Sequence, residues 1–373
     1  MIKVLQVLDS LGFGGAERMI LNLIEHLDPT EIQTDFVVNG AKITPLEQIV
    51  ISNGHKVFHN SPIKEVGFSK NFEFLKRVMQ DNGPYNIVHS HIDYLGGGVA
   101  LAAKKTGVPI RISHSHNTRF ANIENSNLNK MLFFAFRFLM NKYSTKKIAC
   151  GHDAALALFG KRGAHNSLIL NNSIDVEKFA QNISQSDKIN LKSKTNLPPD
   201  SFVLGHIGRF VEAKNHIKII DVFNELLKTK SNSFLILIGD GILKERIMQK
   251  VASLNINDKV MFLGNRQDIC SLLKVMDLFI MPSTFEGLPV SLIEAQAASV
   301  PCLISDSIDR RVDLFNTIKF ISIDESDGKW ASLCMSSFSE YPNTNERKNK
   351  LKELGYDTTS NVNVLKDLYG IVN

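Results

Sequence analysis

The sequence predicts an α/β protein made of two doubly wound domains in tandem, facing one another across a cleft, and three observations carry that prediction. At 373 residues the chain exceeds what one hydrophobic core usually supports, so two domains of roughly 150 to 200 residues are expected. Short aliphatic and β-branched runs alternate with longer helical patterns, as in parallel sheets covered by helices on both faces. After a polar stretch near residues 181–200 the alternation begins again, which places the boundary between a domain over 1–185 and another over 186–355.

In chain order the first domain offers strands at IKVLQVL (2–8), TDFVV (34–38), NIVHSH (86–91), PIRIS (109–113), KKIAC (146–150) and SLIL (167–170). The second offers FVLGHI (202–207), FLILIG (234–239), VMFLG (260–264), LFIMPS (278–283), PCLIS (301–305) and KFISI (319–323). Ligands of such sheets sit beyond the carboxyl ends of the strands, so the turns after these runs are where chemistry is sought.

Composition narrows the classes. Lys and Arg exceed Asp and Glu by five, a mild excess that suits an anionic ligand or membrane surface and gives no reason to expect nucleic acid. Cys150, Cys270, Cys302 and Cys334 form no closely spaced pair, which fits reduced thiols in a cytosolic chain rather than a zinc site or disulfide framework. MIKVLQVLDS reads as a first strand and not as a secretory leader, and no window approaches the roughly 20 apolar residues of a membrane span. The expected location is the cytoplasm, with at most a peripheral attachment at the inner face of the plasma membrane.

The first strand runs into DSLGFGGAERMILNLIEHL. Gly14 and Gly15 would let a phosphate approach backbone amides at a helix N-terminus, although a plain strand-to-helix turn reads the same way. A G-x-G-x-x-G dinucleotide fingerprint starting at Gly12 fails at Glu17, which argues against a nicotinamide or flavin enzyme. There is no P-loop and no D-x-D pair, so neither a metal nor a cofactor is expected.

HIGRFVEAKNHIKII (206–220) places Arg209 and Lys214 around a turn after the second domain's first strand. Two cations there could converge on a diphosphate, or each could be a solvated surface charge. FEGLPVSLIEAQAASVP (285–301) carries Glu286 in a loop and Glu294 inside an apolar helical run that Pro289 opens. Helical rise over eight residues separates the two carboxylates by roughly 12 Å, about the span from a sugar across a diphosphate to a ribose. HSHIDY (89–94) and ISHSHNT (112–118) collect histidines at strand ends. His114 and His116 could point the same way like a metal pair, but no third ligand is evident, and His89 and His91 read as structural. LNKMLFFAFRFLMNKYSTKK (128–147) is apolar around most of a helix, with Lys130, Arg137 and Asn141 as a narrow polar stripe. That fits a core helix, or a helix lying on an anionic membrane.

Together, GFGGAER, GRFVEAKN, IGDGILKERI, FLGNRQDI and the E-x7-E segment FEGLPVSLIE resemble the retaining glycosyltransferases of family 4, which have the GT-B fold, and especially bacterial exopolysaccharide and capsule enzymes. The resemblance covers nearly the whole chain. It implies an acceptor-binding first domain, a nucleotide-sugar-binding second domain and a terminal helix over 356–373 that crosses back to the first. It further implies that Arg209 and Lys214 hold the diphosphate, that Glu294 binds the ribose, and that Glu286 with Gly287, Leu288 and Pro289 meets the transferred sugar. Arg266 would lie by the base, Gly14 and Gly15 by the phosphates or sugar, and His116, with His114 as the alternative, near the sugar. One departure stands out: in NNSID (171–175) Ser173 replaces the family's usual glycine.

The expected function is transfer, with retained configuration and without a metal, of a hexose or N-acetylhexosamine from a nucleotide diphosphate, UDP in the first instance. The acceptor would be a saccharide, polyprenyl-linked if the helix at 128–147 binds membrane. Catalysis would rest on Arg209, Lys214, Glu286 and His116, with domain closure excluding water. The rival readings are a catalytically silent scaffold subunit and a sugar-nucleotide epimerase.

Overall fold

The computed structural model describes residues 1–12, 15–40, 43–118, 120 and 126–371. They form two compact units, Met1–Ser173 with Gly355–Asn373, and Ile174–Leu354. The first holds strands β1 (Ile2–Leu8), β2 (Ile32–Asn39), β3 (Val57–Asn60), β4 (Ile87–Ser90), β5 (Ile110–Ser115), β6 (Lys146–Ala149) and β7 (Leu168–Ile169), paired in parallel in the order β3-β2-β1-β4-β5-β6-β7. Its helices are α1 (Gly15–Glu25), α2 (Pro45–Ser52), α3 (Ile63–Asp81), α4 (Gly96–Lys105), α5 (Asn127–Tyr143) and α6 (His152–His165). Side chains of β1 and β2 alternate between two apolar clusters. Val4, Leu8, Phe36 and Val38 join Met19 and Ile20 of α1, whereas Leu5, Val7 and Val37 join Leu75 of α3 and Val99 of α4. A strand covered on both faces reads as a near-continuous apolar run, interrupted here by the buried polar residues Gln6, Thr34 and Asp35. The edge strand β3 falls outside the sequence expectation, since VFHN is short, half polar and paired on one side.

The second unit holds α7 (Val176–Phe179), α8 (Gln185–Lys194), β8 (Phe202–Ile207), α9 (His216–Thr229), β9 (Ser233–Ile238), α10 (Lys244–Ser253), β10 (Val260–Gly264), α11 (Ile269–Val275), β11 (Leu278–Met281), α12 (Val290–Ala297), β12 (Cys302–Ser305), β13 (Lys319–Ile321), α13 (Asp327–Cys334) and α14 (Thr344–Glu353). Its parallel sheet runs β10-β9-β8-β11-β12-β13. The boundary expected at 185/186 lies instead between Ser173 and Ile174. The segment before α8 is held by the second unit: buried Arg347 donates to Ala180 O (3.0 Å) and Asn182 Oδ1 (2.9 Å), and Lys348 and Lys352 pair with Glu177.

The last helix, α15 (Thr358–Tyr369), returns to the first unit, with Val362, Leu365 and Tyr369 in the cluster that covers β1. Ser173, the residue that replaces the family's glycine, is buried there and accepts a hydrogen bond from Thr358 (3.4 Å), while Asn361 donates to Asn171 O (2.9 Å). The hydroxyl at 173 thus contacts the returning helix.

Of the polar stripe of α5, Arg137 and Asn141 face inward and Lys130 is exposed. Arg137 donates to Leu158 O (2.8 Å) and Ala157 O, and Asn141 donates to Phe159 O (3.2 Å). Those carbonyls precede Gly160, whose φ of 71° breaks α6, so α5 side chains satisfy backbone acceptors that the kink releases. Phe133, Phe136 and Met140 are buried, whereas Leu128, Met131, Leu132, Phe134 and Phe138 are exposed. The helix ends at Tyr143, and Lys146 and Lys147 belong to β6. Replacing Arg137 by Met is expected to cost about 2–3 kcal/mol in urea unfolding, because buried carbonyls lose their donor. Lys is expected not to restore it, since a point charge cannot span the same acceptors. Among the described residues, no helix is long and apolar enough to cross a membrane.

Candidate functional site

Each sheet reverses its strand order once, between β1 and β4 in the first unit and between β8 and β11 in the second. The loops leaving these strands flank the switch point where doubly wound sheets bind ligands. In the second unit the sequence-predicted residues of two of these loops meet. Arg209 is exposed just after β8 and makes no ion pair among the described residues. A short turn, Glu212–Lys214, follows, and Asn215 in the left-handed region (φ 52°) leads into α9. Lys214 Nζ lies 2.6 Å from Glu286 Oε1, an ion pair between the β8 and β11 loops with both side chains mostly shielded from solvent. Thr284 N donates to Ala213 O (2.9 Å) and Ser291 Oγ to Ile207 O (3.3 Å), which ties the two loops together.

Helix α12 begins only at Val290, so helical rise does not apply to residues 286–289 and the separation expected for the two glutamates is not a helical one. Glu294 is buried, at 6% exposure. A carboxylate carried into an apolar helix at such a site is a candidate for function rather than surface solvation. Gly287 is exposed, Leu288 partly buried and Pro289 buried. Arg266, beyond β10, grips Asp268 with two hydrogen bonds (2.8 and 2.7 Å), and that partner holds its guanidinium pKa above the ordinary value. Among the described residues it contacts none of the other candidates.

Sequence reasoning assigned no role to the glycines that shape this loop. A Cβ on Gly239 (φ +136°) would stand 2.1 Å from Gly208 O, and one on Gly241 would stand 2.5–2.8 Å from three Phe210 backbone atoms. The G-D-G turn after β9 therefore packs directly beneath the Arg209 loop, and the paired glycines at a strand end were its available signal. Beside it, buried His206 donates from Nδ1 to Ile280 O (2.8 Å), which leaves its Nε2 lone pair without a partner. Burial and the neighbouring His216 and Lys214 hold its pKa well below the ordinary value.

In the first unit, Gly14 lies outside the described residues and Gly15 is the first residue of α1. The histidines converge. His89 and His91 from the end of β4, and His114 and His116 from the end of β5, lie with ring centres 4.1–5.4 Å apart. Their network assigns the tautomers. Gln6 Oε1 can only accept, so His91 Nε2 donates to it (2.9 Å). His91 Nδ1 is then a lone pair that accepts from His116 Nε2 (2.9 Å), and His116 Nδ1 is left bare. Gln6 Nε2 donates to Tyr369 Oη (3.1 Å), and the phenol donates on to His89 Nδ1 (3.1 Å). Burial pushes the pKa of His89 down to about 3 and of His116 to about 4, and holds His91 and His114 well below the usual value. All four are neutral at pH 7. His89 and His91 were expected to be structural, yet they share one cluster with both candidate sugar histidines. Gln6 and Tyr369, from opposite ends of the chain, gave no signal in sequence.

Comparison with known proteins bears on the family and the fold. Residues 13–178 match the family described as Glycosyltransferase Family 4, and residues 187–318 match Glycosyl transferases group 1. EpsF of Bacillus subtilis (strain 168) is 35% identical over 99% of this chain and 96% of its own. The Escherichia coli UDP-Gal:alpha-D-GlcNAc-diphosphoundecaprenol alpha-1,3-galactosyltransferase is 26% identical over 76% of this chain and 75% of its own. The crystal structure of HepE of Anabaena in complex with UDP-glucose superposes with a TM-score of 0.75 at 17% identity, covering 100% of both chains, which shows a shared GT-B fold.

Proposed function

We infer that this chain, which belongs to glycosyltransferase family 4, transfers a hexose or N-acetylhexosamine from a UDP-linked donor to a polyprenyl-linked saccharide in exopolysaccharide or capsule synthesis. The observation that carries the reading is the meeting of Lys214 and Glu286 beside exposed Arg209 at the second sheet's switch point. The galactosyltransferase relative supports it, since its name specifies a UDP-sugar and a diphosphoundecaprenol-linked acceptor.

In this reading Arg209 and Lys214 take the diphosphate, Glu294 the ribose, Arg266 the base, and Glu286 with the 287–289 backbone the transferred sugar. Gly14 and Gly15 serve the phosphates or sugar, and His116 the sugar. The transfer retains configuration by a front-face route. The anomeric carbon's bond to the diphosphate oxygen breaks, its bond to the acceptor oxygen forms on the same face, and the acceptor's proton passes to the departing diphosphate. The charge that develops falls on that diphosphate, where fixed cations act most strongly. No metal or other cofactor is required, since two cationic side chains replace it.

In this reading donor binding redistributes the Lys214–Glu286 ion pair. The phosphate takes the ammonium while the sugar's hydroxyls take the carboxylate. Thermal unfolding with UDP, GDP and ADP tests the reading, because a ligand that binds only the folded state raises the midpoint. A rise with UDP that disappears in Glu294→Ala is expected. No rise with any nucleotide at millimolar concentration would favour the silent scaffold, and conversion of free UDP-sugar without an acceptor would favour the epimerase.

The outward face of α5 supports attachment to an anionic bilayer. It presents Leu128, Met131, Phe134 and Phe138 at about 60% exposure each, with Lys130 and Lys142 alongside. Phe134→Ser with Phe138→Ser is expected to reduce co-sedimentation with phosphatidylglycerol vesicles by about tenfold or more. Absence of co-sedimentation by the unmodified protein would remove both the membrane and the main support for a lipid-linked acceptor.

A further inference from the structure

The histidine cluster holds more buried ring nitrogens than the protein itself gives partners. His89 Nε2 and both ring nitrogens of His114 are buried without partners, and each residue is 3% exposed or less. One ring nitrogen from each of His89, His91 and His114 lies within 4.8 Å of the other two. We propose that these three histidines form a binding site for a borderline divalent transition-metal ion of the zinc class, distinct from any metal used in sugar transfer.

The donor set argues for that class. Three neutral imidazoles suit Zn²⁺, Co²⁺, Ni²⁺ and Cu²⁺, whereas Mg²⁺ and Ca²⁺ require oxygen ligands that the triad lacks. Three histidines with one open position is also a recognised zinc arrangement. The outer contacts are partly in place. A metal-bound histidine usually gives its other nitrogen to an oxygen that fixes ring orientation, and here His91 Nε2 reaches Gln6 Oε1 at 2.9 Å and His89 Nδ1 reaches Tyr369 Oη at 3.1 Å. That leaves His91 Nδ1 and His89 Nε2 as ligands. The His89 proton moves from Nε2 to Nδ1 and is donated to the phenol oxygen, so no proton is lost. Bonds of about 2.0–2.1 Å place tetrahedral ligand nitrogens roughly 3.4 Å apart, so the triad contracts from its present spacing.

Binding carries a consequence for His116. Its Nε2–H now donates to His91 Nδ1, and a metal that takes this lone pair releases His116 from the bond that orients it. Occupancy of the triad therefore opposes sugar transfer, a step that rests on the role of His116 proposed above. The binding itself does not.

Titration of tag-free full-length protein with Co²⁺ tests the site without any sugar nucleotide, so its outcome is separate from that of the UDP experiment. One equivalent is expected to develop the visible d–d bands of four-coordinate cobalt, which one equivalent of Zn²⁺ then bleaches. Zn²⁺ at a hundredfold excess over its dissociation constant is expected to raise the unfolding midpoint by about 5 °C or more, with no rise for Mg²⁺. His114→Gln and His89→Gln are each expected to abolish the bands and the rise. Absence of bands in the unmodified protein at tenfold excess cobalt would overturn the proposal, as would bands that persist in whichever of the two variants folds.

Discussion

Arg209→Ala is expected to lower turnover by about 10²-fold or more while leaving the unfolding midpoint nearly unchanged. A hundredfold corresponds to about 2.7 kcal/mol of transition-state stabilisation, the scale seen when a fixed donor to a developing oxyanion is lost. The two readouts separate because Arg209 is exposed and supports no ion pair among the described residues, so the folded state loses little with it. Lys214→Ala is expected to reduce turnover to a similar extent, but with a lower midpoint, because it strands Glu286, a shielded carboxylate whose ion pair spans 2.6 Å. Glu286→Gln is expected to lower turnover less than Lys214→Ala does. Lys214 keeps its charge for the diphosphate while the contact to the transferred sugar weakens. Near-normal turnover in Arg209→Ala, measured with a UDP-sugar that the protein turns over, would sink the assigned role.

Gly239→Ala is expected to destabilise the second unit by about 2–4 kcal/mol and to remove the thermal response to UDP. Two costs combine. The residue's φ of +136° is a conformation that L side chains rarely adopt, and its Cβ would stand 2.1 Å from the Gly208 carbonyl oxygen. Backbone strain of this kind costs on the order of 1–3 kcal/mol, and forced repacking adds about as much. The obstacle is backbone and not the end of a flexible side chain, so relief must come from moving the loop that carries Arg209. Urea unfolding and nucleotide titration of the variant check the two effects separately. A variant of unchanged stability that still responds to UDP would show that the β9 turn does not support the Arg209 loop.

Much of this molecule is legible in its sequence because it rests on local, repeated constraints. β1 and β8 appear at the residues expected, since a strand covered on both faces is apolar at most positions, and the turns after them carry glycine or cations. Residues 209, 214, 286 and 294 could be singled out because they stand in motifs, at strand ends or inside an apolar helical run, that resemble the family's. Side-chain partnership across distant segments is another matter. That Lys214 is neutralised by Glu286, that Gly239 lies under Gly208, and that Gln6 and Tyr369 set the histidine tautomers depend on loops brought together from far apart in the chain. The same holds for α5, whose sequence fitted either a core helix or a helix on a membrane. Arg137 and Asn141 turn inward because a kink in a separate helix leaves carbonyls to be satisfied, and Phe134 and Phe138 are left outside. Pattern and composition alone determined the two-domain α/β plan and the kind of residue at each strand end. Only tertiary structure decided which charges cancel and which lone pairs remain, because hydrogen bonds and ion pairs act over about 3 Å between groups whose separation in sequence carries no record of their contact.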